Sequence, residues 1–514
     1  MGSTQPEWKG KAAAKRSEQL ASIPQQWRLS EPLPKPKNAY EYLRTSGLLT
    51  PDEVAITETT DATILLRKMA SGTLSAVAVT SAFCKRAAIA QQLIRCCTEM
   101  FFDEALRTAQ HLDEYLERNG KTVGPLHGLP VSVKDGFDVF GQDSTLGWMS
   151  DSYNHIFKQS INSFHNELIS GGSSGGEGAL VGARGSIVGI GTDIGGSIRI
   201  PANLQGLYGL CPSTRRIPWE KSGSREYIVP SVAGPMTNSL STLEIFMDAM
   251  LAGQPWLFDP VTMPLPWRKD KAEKPIRPLR IGYYYEDGSD VRVQPPLEQA
   301  VRKAVSALSQ AGHEVFEWDT SEHRYAYGLW LRGVLADGGT RCQNLCDAGN
   351  QPFIDGMLVG TEKDRLTVEE GEALAREIRE YQKKYLARWH ESKLDALIMP
   401  VQPYVGFRPK EWVKSSQYVG YTAHWNLVDF AVLSMPVEVG DVDVSEDFYD
   451  GRGSWKDHRP RNESDRFNWE QYQDDPGLVK SMPVSIQIIG GKFGEENAVA
   501  VAKAVDEALK TLPA

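Results

Sequence analysis

Residues 171–176 read GGSSGG, which sets Ser173 and Ser174 between two glycine pairs. Ser197 follows 24 residues after Ser173, in a second glycine turn, TDIGGSIRIPA, and Lys134 stands 39 residues ahead of Ser173 at the end of VSVK. A serine hydroxyl is a weak nucleophile until a base removes its proton, so the chemistry on offer is acyl transfer by an activated serine. Glycine is costly to order, so two such turns imply that backbone must approach something closely.

The residues alone leave several readings open. Gly172–Gly176 fits G-x-S-x-G, which would make Ser174 the nucleophile of an α/β-hydrolase esterase. That elbow should follow a buried strand, whereas INSFHNELIS is polar, and none of His313, His323, His390, His424 or His458 has a fitting local setting. A phosphate cradle lacks its lysine, and GIGTDIG spaces its glycines unlike the dinucleotide pattern. A flexible linker would not run at once into a strand and a second Gly-Gly-Ser turn.

The elements that must hold these residues can be read from periodicity. From Ala62 to about Asn119 apolar residues recur at helical spacing, the last run closed by Gly120. LHGLPVSVKDGFDV alternates as a strand and turns at Asp135-Gly136. EGALVGARG reads as a small-residue helix, SIVGIG as a strand, LRIGYYY, VFEW, LDALIMP and MPVSIQIIGG as further strands. PPLEQAVRKAVSALSQAGHEV begins as a helix with Val301, Val305 and Leu308 on one face, and EENAVAVAKAVDEALKTL is amphipathic. Strands alternating with helices predict an α/β layer fold around a mixed or mostly parallel sheet.

Composition narrows the class. The 514 residues are 41% hydrophobic and 24% charged, which fits an ordinary globular protein with one large core or two domains. A net charge of −10 offers no basic field for nucleic acid or an anionic membrane surface. Six cysteines are too few for a disulfide scaffold; Cys342 and Cys346, at i, i+4, lack companion histidines and read as packed thiols, not a metal site. The N-terminus is polar, Pro6 breaks the myristoylation pattern, and no 18-residue apolar run occurs, so the expected location is cytoplasmic.

Taken together, HGLPVSVKD, GGSSGGEGAL and GTDIGGSIRIPA resemble the three diagnostic blocks of the amidase signature family. YIVPSVAGPM, HWNLVDFAVLSMPVEV, RNESDRFNWEQY and PVSIQIIGGKFGEENAVAVA extend the resemblance to its fungal general amidase, or acetamidase-like, branch over most of the chain. The resemblance implies an α/β amidase-signature fold, a central mixed twisted sheet covered by helices on both faces. It implies hydrolysis of a carboxylic amide to the acid and ammonia or an amine, with a small-molecule amide substrate and neither cofactor nor metal. Homodimerisation is compatible with the sequence, which leaves the oligomeric state open.

By the same resemblance Ser197 is the nucleophile, Ser173 a bridging serine beside an unusual cis peptide, and Lys134 the base. A lysine acts as a base only when neutral, and at its reference pKa near 10.4 roughly one in 10³ is neutral at pH 7, so burial and hydroxyl partners must lower it. The backbone N–H groups of Ile194, Gly195, Gly196 and Ser197 are expected to converge on the oxyanion. Ser174 is expected within the lysine network, Asp193 and Arg199 as a pair fixing the second turn, and His127 in a structural role.

The pattern breaks between Lys134 and Ser173, where the family has roughly 30 more residues, the size of a helix–strand unit. That unit would carry a GKTN-like turn and the asparagine–proline approach to the serine loop; DSYNHIFKQSINSFHNELIS stands in its place. The expected organisation is an N-terminal helical and Pro-rich extension (1–60) and an amidase signature domain (61–514). An internal deletion falls around 150–170, and an ordered loop is expected over 441–480. Segments 330–360 and 401–430 are expected to wall an apolar, aromatic pocket. The competing reading is a catalytically impaired relative that has lost a strand and misplaced its three residues.

Overall fold

The computed structural model describes residues 7–135, 152–219, 228–288, 290–414, 418–438, 444 and 454–512. Six helices come first: α1 (Glu7–Ser22), α2 (Ala39–Thr45), α3 (Pro51–Glu58), α4 (Ala62–Ala70), α5 (Ala76–Ile94) and α6 (Phe102–Asn119). Their ends follow from local chemistry. Thr50 and Glu53 close a reciprocal capping box on α3, Ser75 accepts the Ala78 N–H at the start of α5, and Gly120, at φ 61°, ends α6. Ile23, Ala39, Leu43 and Leu49 from the N-terminal segment share one buried cluster with Ala87, Ala88 and Ile94 of α5.

The remaining elements run β1 (Val131–Val133), β2 (Tyr153–Asn154), β3 (Lys158–Gln159), α7 (Gly175–Gly182), β4 (Val188–Asp193), α8 (Arg199–Leu204), β5 (Tyr208–Cys211) and β6 (Val232–Thr237). Then come α9 (Leu240–Ala252), α10 (Lys269–Ala272), β7 (Arg280–Tyr283), α11 (Pro295–Gln310), β8 (Glu314–Glu317), α12 (His323–Val334), α13 (Thr340–Ala348) and α14 (Val368–Glu391). The chain closes with β9 (Ala396–Pro400), α15 (Gly420–Val428), β10 (Ala431–Glu438), α16 (Glu463–Asp474), β11 (Val484–Gly491) and α17 (Glu495–Thr511).

Among the described residues nine strands form one sheet in the order β1-β4-β6-β5-β10-β11-β9-β7-β8. It is mixed: β1 with β4, β9 with β7 and β7 with β8 are parallel, and the other neighbours are antiparallel. β6 and β9 are buried at every residue, as expected for strands covered on both faces. Helices α11 and α17 pack over β9, β10 and β11, while α7, α8 and α9 pack on β4, β5 and β6. Among the described residues no helix is long and apolar enough to cross a membrane.

Two expectations meet the structure only in part. Of the loop at 441–480, residues 441–443 and 445–453 lie outside the described residues, and Glu463–Asp474 is helical. Of the segment around 150–170, residues 150 and 151 lie outside them, β2 and β3 form a short hairpin, and buried Asn162 donates to the Leu204 carbonyl at the end of α8 at 2.8 Å. Ser152 Oγ donates to the Gly171 carbonyl at 3.0 Å and accepts the Gly175 N–H at 3.1 Å, so this segment supports the serine loop directly.

Candidate active site

Strand β1 brings Lys134 to the serine loop. Its backbone N–H donates to the Ile190 carbonyl of β4 at 2.8 Å, continuing the parallel ladder past Val133. The lysine is 8% exposed, and its Nζ lies 2.6 Å from Ser173 Oγ and 2.8 Å from Thr192 Oγ1. Two hydroxyls at these distances can take the proton of an ammonium or give one to an amine. Ser173 follows a cis peptide bond from Gly172.

The second turn sits directly beside the first. The Ser174 N–H donates to the Ser197 carbonyl at 3.2 Å, and both Ser173 and Ser197 are half-buried. Ser174 Oγ is itself buried between the Thr192 N–H and carbonyl, each at 3.2 Å, and so joins the lysine's surroundings through the backbone of Thr192. That hydroxyl is held on β4 at the start of α7, not presented at the tip of an elbow.

The turn 194–197 is fixed from outside by residues far away in sequence. Trp330 Nε1 on α12 donates to the Ile194 carbonyl at 2.8 Å, and Thr422 Oγ1 on α15 donates to the Gly195 carbonyl at 2.5 Å. In a trans peptide the N–H points opposite to the carbonyl, so the Trp330 contact aims the Gly195 N–H away from α12. A Cβ at Gly195 would lie 2.5 Å from the Trp330 ring, and one at Gly196, whose φ is +127°, would lie 2.4 Å from Thr422 Oγ1. Gly196 departs from the expectation that it serves an oxyanion: its N–H donates to Asp193 Oδ1 at 2.7 Å, so it holds the turn together.

Asp193 and Arg199 form a fully buried pair, Nη2 to Oδ1 at 2.9 Å and Nε to Oδ2 at 3.1 Å. Asn426 Nδ2 also donates to Asp193 Oδ1 at 2.9 Å, and the Ile198 N–H to Oδ2 at 3.1 Å. Burial opposes ionisation of this carboxyl, but the Arg199 charge and these hydrogen bonds outweigh it and hold the carboxyl at about 2. Arg199 reaches on to Asn426 Oδ1 at 2.6 Å and to Gln487 Oε1 on β11 at 3.2 Å, which ties the turn to the centre of the sheet. His127 lies in the loop before β1, with Nδ1 accepting the Val123 N–H at 3.3 Å.

A cavity of about 590 Å³ lies beside β1, which ends the sheet among the described residues. Phe83 of α5, Ala109 of α6, Val131, Val133, Lys134 and Ser173 are among its walls. Of segments 330–360 and 401–430, Ile354 alone among the described residues lines it, so the walls expected from those segments are not this cavity's. Their contribution is Trp330, Thr422 and Asn426 on the turn.

Sequence reasoning passed over Thr192, Trp330, Thr422, Asn426 and Gln487. Thr422 and Asn426 carried a signal: polar residues at i, i+4 in a helix otherwise rich in buried apolar groups share one face.

A family profile described as Amidase matches residues 78–153 and 146–499, two pieces that overlap between Lys134 and Ser173. Acetamidase of Emericella nidulans is 34% identical over 554 aligned positions, covering 98% of this chain and 98% of its own. Acetamidase of Aspergillus oryzae is 33% identical, covering 98% and 99%. A solved fatty acid amide hydrolase superposes with a TM-score of 0.88 at 32% identity, covering 98% of this chain and 95% of its own.

Proposed function

The chain belongs to the amidase signature family, and on that premise we propose that it cleaves a carboxylic amide through an acyl-enzyme on Ser197. The observation that carries this reading is the 2.6 Å hydrogen bond between Lys134 Nζ and Ser173 Oγ, which supplies the base a serine nucleophile needs. Ser173 passes the Ser197 proton to neutral Lys134 as Ser197 attacks the carbonyl. The same proton returns through Ser173 to the leaving nitrogen, which cannot depart as an amine anion. A water then repeats the cycle in reverse and releases the acid.

The N–H groups of Ile194, Gly195 and Ser197 are the donors left for the oxyanion once Gly196 is committed to Asp193. This mechanism calls for neither metal nor cofactor, because backbone donors meet the developing charge and the lysine carries the proton. Likeness to acetamidases favours a small amide, aliphatic or aryl, and the sparse cysteines favour a cytoplasmic setting.

Treatment with a serine-directed fluorophosphonate, followed by peptide mass spectrometry, tests the proposal. An adduct on Ser197 is the expected result. A folded protein that takes up no reagent, or takes it up on Ser174, overturns it.

A further inference from the structure

The serine loop carries a helix-start pattern that the structure does not use as one. Ser174 is the residue before α7 and Glu177 stands three further on, the spacing of a capping box, yet Ser174 makes no side-chain cap. Its hydroxyl is on Thr192, and Glu177 turns away from the helix end to accept a hydrogen bond from Ser132 Oγ at 2.6 Å. Gly189 on β4 makes room for this: a Cβ there would lie 2.7 Å from Glu177 Oε2. Ser132 and Lys134 are two apart on one strand and so share a face, about 7 Å apart along β1.

We propose that Glu177 is a positioning residue of this centre: its carboxyl, held by Ser132 beside Lys134, sets how readily the lysine gives up its proton. The inference rests on Lys134 being the base. As a carboxylate Glu177 favours the ammonium form of Lys134; as a neutral acid it withdraws that support and the amine forms more readily. Burial pushes the Glu177 carboxyl up to about 7, against the Ser132 hydrogen bond and the lysine charge, so both forms are accessible at neutral pH.

Asp135, next to Lys134, lines the same cavity as Glu177, and two other charged groups near α7 are engaged elsewhere. Arg86 of α5 donates to the Ala183 carbonyl at the opposite end of the helix, at 2.7 Å, and Asp193 of β4 is paired with Arg199 of α8. β6 carries no ionisable side chain. Cys96, beyond α5, feels the Glu177 charge, and its thiol is pushed well above the usual range by its Cys97 hydrogen bond and by burial.

The test is the rate of fluorophosphonate inactivation as a function of pH, which requires no knowledge of the substrate. For Glu177→Gln the acid limb is expected to move to lower pH by about one unit. Ser132→Ala, which frees the carboxyl to protonate, is expected to move it in the same direction by about half as much. An unchanged midpoint, or a rate lowered by one factor at every pH as a structural loss would give, overturns the inference. If Glu177→Gln does not fold, Ser132→Ala decides by the same criterion. A wild-type protein that is folded but never labelled overturns this inference and the proposed function together, whereas labelling with an unmoved limb overturns this one alone.

Discussion

Trp330 Nε1 donates to the Ile194 carbonyl at 2.8 Å while its ring occupies the space a Gly195 side chain would need. One side chain thus sets both the direction of the Gly195 N–H and the closeness of its backbone. Trp330→Phe keeps an aromatic side chain, removes the donor and trims the indole, and kcat should fall about tenfold with KM little changed, since a misaimed donor weakens the transition state more than the ground state. Gly195→Ala should cost 10²–10³ in kcat, roughly the loss of a whole oxyanion donor. Steady-state kinetics on a responsive amide reads both, and a Trp330→Phe enzyme with wild-type kcat would remove Trp330 from this role.

Lys134→Met keeps most of the side-chain length and removes the amine. Labelling of Ser197 should slow by about 10²–10⁴, the usual range for losing a positioned base. The contacts removed are those to the Ser173 and Thr192 hydroxyls at 2.6 and 2.8 Å, and thermal unfolding should change less than the labelling rate. A Ser174 esterase would keep its rate in this variant, so the same measurement separates the two chemistries.

Asp193→Asn tests the support of the turn. Arg199 is fully buried, and removing its partner's charge leaves a guanidinium with only amide and carbonyl acceptors. Breaking a buried pair from one side typically costs about 3–5 kcal/mol. Denaturant unfolding should report a loss of that size, accompanied by loss of Ser197 labelling, because the Gly196 and Ile198 N–H groups also end on this carboxyl. A stable variant that labels normally would assign the turn's rigidity to Asn426 and Trp330 instead.

What the sequence made legible here depends on distance along the chain. Lys134, Ser173, Ser197 and the pair Asp193 with Arg199 stand in short blocks whose residue types carry their own reasons. Long apolar or periodic runs also announced themselves, as at β7, β9, β11, α11 and α17. β6 did not: it reads VAGPMT, and Pro235 in a strand with neighbours on both sides contradicts the usual placement of proline at edges. Trp330 and Gln487 could not be tied to the turn from spacing, since their contacts with it, to Ile194 and Arg199, span 136 and 288 residues. Residues 152–170 looked unrelated to the site because their tie to it is made by scattered polar contacts, Ser152 to Gly171 and Gly175, Asn162 to Leu204 and Ser163 to Gln205.

His323 and His424 give the last prediction. Their rings stack at 4.0 Å, Nε2 of each meets a tyrosine hydroxyl, Tyr385 at 3.2 Å and Tyr381 at 3.0 Å, and neither Nδ1 has a hydrogen-bond partner. Burial pushes His323 down to about 3 and His424 well below its usual range, so the native state holds both neutral. Their contribution to stability is complete above the unfolded value near 6.5 and is lost as pH falls below it, at about 1.4 kcal/mol per unit for each. Glu177 has the opposite sign, because a carboxyl raised to about 7 loses stability as pH rises from its unfolded value toward 7. Between pH 5 and 6.5 the histidines win, and unfolding free energy should rise by about 1.4 kcal/mol per unit. In the double variant His323→Gln with His424→Gln the slope should fall, because what remains is Glu177 and Glu495, both raised, against His165 and His313, both lowered. Denaturant titrations at pH 5.0 and 6.5 decide it, and a double variant with the wild-type slope would mean that other groups govern acid stability. The pair matters for the site because His424 shares α15 with Thr422 and Asn426, which hold the turn.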